Sequence, residues 1–177
     1  FAKISDSPGW SARVGHLALS FNGSMWILGG YEGNVLAEVW ASSTGAAWGT
    51  KTNLPSARYR HAGTVFKGKM WILGGKNTNG AELDDVWSSS TGLSWDNQTL
   101  SGDIPSARHS HAGVIFKNKM WILGGQSGSS YLNDVYSSSD GAQWSQVTDN
   151  ASWLGRYGHA AVVYDNKIWI MGFKKKR

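Results

Sequence analysis

Four short apolar runs punctuate the chain. Three read MWIL, at 25–28, 70–73 and 120–123, and a fourth reads IWIM at 168–171. Each is apolar at every position and four residues long, the signature of a strand covered on both faces. A mixed run precedes each of them, separated from it by a polar pair: Asn22-Gly23, Lys67-Gly68, Lys117-Asn118 or Asp165-Asn166. Such pairs tolerate positive φ and close two-residue hairpins. After three of the runs comes a half-polar stretch such as DDVWSSS (84–90), then a turn at Thr44-Gly45, Thr91-Gly92 or Asp140-Gly141, then a mostly polar stretch with one Trp. Residues 58–98 therefore predict four antiparallel strands: 60–66, 69–75, 84–90 and one beginning at 93. Hydrophobicity falls from the second strand to the fourth, so one edge of each unit is deeply buried and the other lies outside.

The units are in register. Arg recurs at 13, 58, 108 and 156, His three residues later at 16, 61, 111 and 159, and the Trp of the apolar run at 26, 71, 121 and 169. Every anchor moves by 45, then 50, then 48 residues, which marks a repeat architecture with variable loops. A Gly-Gly pair ends the second strand at 29–30, 74–75 and 124–125, where a backbone leaving a sheet needs unusual φ. A spaced aromatic (Trp40, Trp87, Tyr136) and a second Trp (Trp48, Trp95, Trp144) follow. This Arg-x-x-His, Gly-Gly, aromatic, Trp order resembles the kelch repeat over nearly the whole chain. The resemblance implies an all-β fold: a kelch-type propeller of four-stranded antiparallel blades around an axis.

On that reading, residues 13–57, 58–107 and 108–155 are whole blades, and 156–173 are the two inner strands of another. The segment FAKISDSPGWSAR (1–13) aligns without a gap to WSQVTDNASWLGR (144–156), so 1–12 are expected to form an outer fourth strand, giving fifteen strands in all. The ring in one chain is then incomplete, since propellers usually hold four to eight blades. Either residues 1–12 join 156–173 in a small four-bladed ring, or two chains meet end to end and share hybrid blades in a ring of about eight. The two-chain ring is favoured, because four blades demand a wide wedge for each. Interface candidates are Phe1, Ile4, Trp10, Trp153, Trp169 and Phe173. A fragment of a longer protein is the remaining alternative.

Composition changes little of this. The 177 residues include 23 Gly, 11 Trp and only 3 Pro, which suits short strands, tight turns and aromatic packing. The net charge of +5 is mostly a tail: four of the 17 basic residues are Lys174, Lys175, Lys176 and Arg177, leaving 13 against 12 acidic ones. A nucleic-acid partner is not expected, because such binders carry their charge on the folded domain. No apolar run approaches membrane-spanning length, so no membrane partner is expected. With no Cys, disulfides, zinc thiolates and Cys nucleophiles are excluded, and so is the Tyr–Cys copper chemistry of kelch-like galactose oxidases.

The four arginines gather at one end of the ring. Either they pair with Glu38, Asp85 and Asp134 near the start of third strands, or Arg13, Arg58, Arg108 and Arg156 form an anion or acidic-sugar site. Tyr59, His109 and Tyr157 directly follow three of them and are further ligand candidates. The repeated histidines lie on different blades and lack a carboxylate cluster, so neither a metal nor any other cofactor is expected. Trp10 and Trp153 occupy matching loops where the other units carry PSAR, and suit an interface or a sugar. Asn22, Asn97 and Asn150 begin Asn-x-Ser/Thr triplets, and an extracellular or periplasmic setting is slightly favoured over a cytoplasmic one. No catalytic set is found. The reading is a non-catalytic module recognising a protein or glycan, homodimeric by shared end blades. The alternatives are a sugar-processing enzyme of the sialic-acid mutarotase or glycosidase type, or a ligand-free repeat, natural or designed.

Overall fold

The computed structural model describes residues 3–5 and 7–172. Phe1, Phe173 and the basic tail at 174–177 lie outside the described residues. Among those described, every regular element is a strand. The first sheet runs β1 (Leu17–Phe21), β2 (Ser24–Tyr31), β3 (Val35–Ser42), β4 (Gly49–Thr50), each antiparallel to the next. The second repeats it as β5 (Ala62–Phe66), β6 (Lys69–Lys76), β7 (Glu82–Ser89), β8 (Asp96–Asn97). The third holds β10 (Ala112–Phe116), β11 (Lys119–Ser127), β12 (Ser130–Ser138) and β13 (Gln143–Thr148), with β9 (Ser101–Gly102) added in parallel on the outside of β13. The fourth sheet has only β14 (Ala160–Tyr164) and β15 (Lys167–Met171).

The hairpins joining first and second strands form as the sequence demands. Both central residues have positive φ in every copy, for instance Lys67 at 48° and Gly68 at 70°. The third turn differs from a two-residue hairpin. Ser42, Ser89 and Ser138 each accept the amide of the glycine three residues on, Gly45, Gly92 and Gly141, at 2.8, 2.7 and 2.8 Å. The Ser hydroxyl replaces a backbone partner there, so the connection is a Ser-closed loop.

The Gly-Gly pairs are bulges that also touch the next blade. The second-to-third-strand register slips at Leu28/Gly30, Leu73/Gly75 and Leu123/Gly125. Gly74 and Gly75 have φ of 55° and 105°. A Cβ on Gly74 would lie 2.8 Å from the carbonyl of Arg108, one blade on. The Gly75 amide donates to that same carbonyl at 2.9 Å, as Gly30 does to Arg58 and Gly125 to Arg156. Only glycine permits both the φ and the approach.

Inner strands β1, β5, β10 and β14 lie side by side in chain order. The core divides into three clusters, one per blade junction. Phe21, Trp26, Leu28 and Val39 of the first blade meet Met70 and Ile72 of the second. Phe66, Trp71 and Leu73 of the second meet Met120, Ile122 and Trp144 of the third. Val114, Leu123 and Val135 of the third meet Ile168 and Ile170 of the fourth. Period-2 alternation decides this: Trp and Leu of each second strand face forward, Met and Ile face back.

Residues 3–5 and 7–12 form no strand, so the expected outer strand is absent there, and the fifteenth strand is the short β9 instead. A fourth strand bonds to a third, and the fourth blade offers none. The ring is open, with β14 and β1 at its two ends.

Candidate functional site

The arginines come first, because they frame one end of the ring. Arg108 donates from Nη1 and Nη2 to the two carboxylate oxygens of Asp134 at 2.7 and 2.8 Å, and from Nη1 to the Gly124 carbonyl at 3.0 Å. Arg58 does the same with Asp85 and Gly74. Arg13 reaches Glu38 at 2.7 Å and Gly29 at 3.2 Å. The serine two residues earlier braces each guanidinium: Ser11, Ser56 and Ser106 accept from Nη2 at 3.0, 2.7 and 3.0 Å. The Arg58 side chain is 0% exposed. Burial raises the Asp85 carboxyl, but the Arg58 hydrogen bonds, the Arg58 charge and the Trp87 indole together outweigh it and hold the group below its ordinary value. Hydrogen bonds from Arg13 and Trp40 do the same to Glu38. These three arginines are engaged inside their own blades, in the arrangement of the pairing alternative. Arg156 differs. Its Nε donates to Leu154 at 3.2 Å and its guanidinium lies over Trp153, 5.5 Å from the ring centre.

The axial mouth is built by the next two positions of the motif. Gly15, Arg60, Ser110 and Gly158 all have positive φ, at 64, 54, 53 and 63°. Their backbones link blade to blade: Arg60 N donates to Gly15 O at 2.7 Å, Ser110 N to Arg60 O at 2.8 Å and Gly158 N to Ser110 O at 2.8 Å. This run and the four histidines line an open cavity of about 320 Å³. His61 and His111 are buried with both ring nitrogens lacking a protein partner. Burial first, then the neighbouring Arg58 and Arg108, pushes each down to about 3, so both are neutral at physiological pH. Burial, then Arg156, lowers His159 to about 4. Among the described residues, no group of three His, Cys, Asp or Glu is placed to hold a metal ion.

The residue after Arg58, Arg108 and Arg156 reaches back to the preceding blade. Tyr59 meets Tyr31 at 5.4 Å between ring centres, and Tyr157 stacks on Tyr131 at 4.9 Å. His109 is buried between blades, its Nε2 3.5 Å from Glu82. Burial, then Lys76, lowers its pKa against the pull of Glu82. His109 is thus a wedge at a blade junction.

The linked mouth backbone recurs on all four blades, the Arg hooks and the Gly-Gly bulges on three, and the sequence between residues 15 and 177 matches the model of the KLHDC2/KLHL20/DRC7 Kelch-repeats domain. The chain belongs to this kelch family. No curated protein matches the chain. Kelch domains are generally non-enzymatic modules for protein interaction, and this kelch propeller is open within one chain.

The interface candidates divide. Trp10 packs edge-on against Trp48 of its own blade, 5.9 Å between ring centres, and Trp153 lies 6.3 Å from His159. Both are half-buried, Trp10 against the first blade and Trp153 at the junction of the third and fourth. Ile4 is exposed beside Gly45, and Trp169 is exposed on β15. Arg60 and Ser110 were not singled out by the motif. The signal was present in the repeat, since their position is glycine in the other two units.

Proposed function

We propose that this kelch domain is a non-catalytic recognition module whose axial mouth binds a protein ligand, and that a second copy completes its ring. The observation carrying the first part is the 320 Å³ cavity with Arg60 at its rim. Arg60 is exposed, and among the described residues no carboxylate pairs with it. Its φ of 54° is an unfavourable conformation for a non-glycine residue, kept where two sister units use glycine. A guanidinium held there suits a carboxylate or carbonyl group of a docked peptide. A glycan is the second reading, favoured by the Tyr31–Tyr59 and Tyr131–Tyr157 pairs, whose rings offer stacking faces.

The second part rests on unfilled junctions. Trp26 and Trp71 each insert over the glycine of the next blade's Ser-closed turn, where a Cβ on Gly92 or Gly141 would run into the indole. Their exposures are 6 and 4%, while that of Trp169, at the same position, is 46%. At the other end of the ring, Gly45 and Met25 form the matching seat, and no Trp of the described residues fills it. Trp169 of one copy fits Gly45 and Met25 of another, and the Gly158 carbonyl fits the Gly15 amide of that copy.

Selection of displayed peptides on the protein, with a glycan array in parallel, tests the mouth. Arg60→Gly removes the cation and suits the backbone. It is expected to weaken the selected peptides by about tenfold or more at an unchanged Tm. Peptides indifferent to Arg60→Gly, or hits on glycans alone, would overturn a protein ligand at this site.

A further inference from the structure

The fourth blade contains an arginine hook with nothing to hold. In the three whole blades the hook closes on an acid in the middle of the third strand: Glu38, Asp85 or Asp134. Two residues later comes an aromatic, Trp40, Trp87 or Tyr136, and in two blades its indole donates back to the same acid at 3.0 and 2.6 Å. Arg156 occupies the same place with two differences. The bracing serine is replaced by Leu154, so the hydroxyl acceptor is gone. Among the described residues, its Nη1 and Nη2 meet no acceptor.

Beside it runs an open edge. Among the described residues, β15 bonds to β14 on one side only, and its other edge presents backbone groups that none of them pairs with. Trp169 and Met171 are half-exposed along it. The sister blades define what lies against such an edge. Ile72 pairs with Trp87, Leu73 with Val86, Trp71 with Ser88 and Met70 with Ser89. The same order holds for Ile27 with Trp40 and for Ile122 with Tyr136. Carried onto β15, an antiparallel strand would set an aromatic opposite Ile170, a β-branched residue opposite Met171, small residues opposite Trp169 and Ile168, and a carboxylate at Arg156.

We propose that the β15 edge and Arg156 together form a docking site for an extended segment of a partner protein carrying carboxylate, β-branched residue, aromatic and two small residues in that order. The strand supplies backbone bonds along the edge, and the carboxylate supplies specificity through the unpaired guanidinium. The site is separate from the mouth and from the blade faces that a second copy would cover, because it uses the edge of the sheet rather than its face. It therefore does not depend on ring completion.

The probe is a synthetic peptide with the sequence of residues 82–90, ELDDVWSSS, added in trans to the intact chain. Binding is followed by calorimetry and by amide exchange. Protection of the β15 amides that point away from β14 is expected. A peptide with Asp85→Asn is expected to bind about tenfold more weakly or worse, as is the peptide with the Arg156→Ala protein. Arg156→Lys should recover part of the loss, and Arg60→Gly should leave binding unchanged. No binding at millimolar peptide, equal binding of the Asp85→Asn peptide, or protection confined to the mouth would overturn the site. So would β15 protection that rises with chain concentration alone, which would mean that a second copy occupies the edge. The solution mass with and without peptide separates this result from the fate of the ring.

Discussion

His61 and His111 face burial without a protein partner at either ring nitrogen, and this has a consequence in acid. Their folded-state pKa values of about 3 lie below the unfolded value of 6.5. Between those limits the unfolded chain binds more protons than the folded one, so stability falls as pH falls through 6.5 and levels off only near 3. Each histidine contributes a slope of up to about 1.4 kcal/mol per pH unit. Urea unfolding at pH 7.5, 6 and 5 should show midpoints that drop at each step, whereas a flat profile would contradict the buried neutral state. The sequence displayed these histidines as a repeat but not their surroundings. It also left the arginines undecided between ligand and internal partner. The deciding feature was local: a serine two residues before Arg13, Arg58 and Arg108 turns the guanidinium inward, and Leu154 breaks that pattern at Arg156.

At the scale of elements, the inner strands and their hairpins were plain from the sequence. An all-apolar run bounded by Lys-Gly or Asn-Gly has few other solutions. The outer strands were less legible. β4 and β8 shrink to two residues each, because a polar strand with a single neighbour gains little from pairing. The N-terminal segment aligns with β13, yet its described residues form no strand, since local pattern cannot supply the missing third strand. What joins elements within a blade is the arginine hook, tying the end of the second strand to the third. Arg58→Ala leaves Asp85 and the Gly74 carbonyl without their charged partner. It should cost about 3 kcal/mol in denaturant unfolding, while Arg156→Ala should cost less than about 1 kcal/mol. Equal losses at the two positions would refute the structural role of the hook.

For the whole molecule, the sequence indicated an incomplete ring, and the described residues form an open run of three whole blades and one two-stranded blade. The first two junctions bury a Trp over a glycine turn, all three link the mouth backbones, and each open end presents one half of such a junction. Exposed Trp169, Met171, Val163 and Tyr164 stand at one end, with Ile4, Val14 and Met25 at the other. Apolar surfaces of this kind favour association, and about 800 Å² per partner suffices for a stable interface. The most direct measurement is the solution mass by light scattering at micromolar concentration, with Trp169→Ser as the paired variant. Twice the mass of one chain, falling to a single chain in the variant, is the result expected of a ring closed by two copies. A monodisperse single chain in both samples would contradict it.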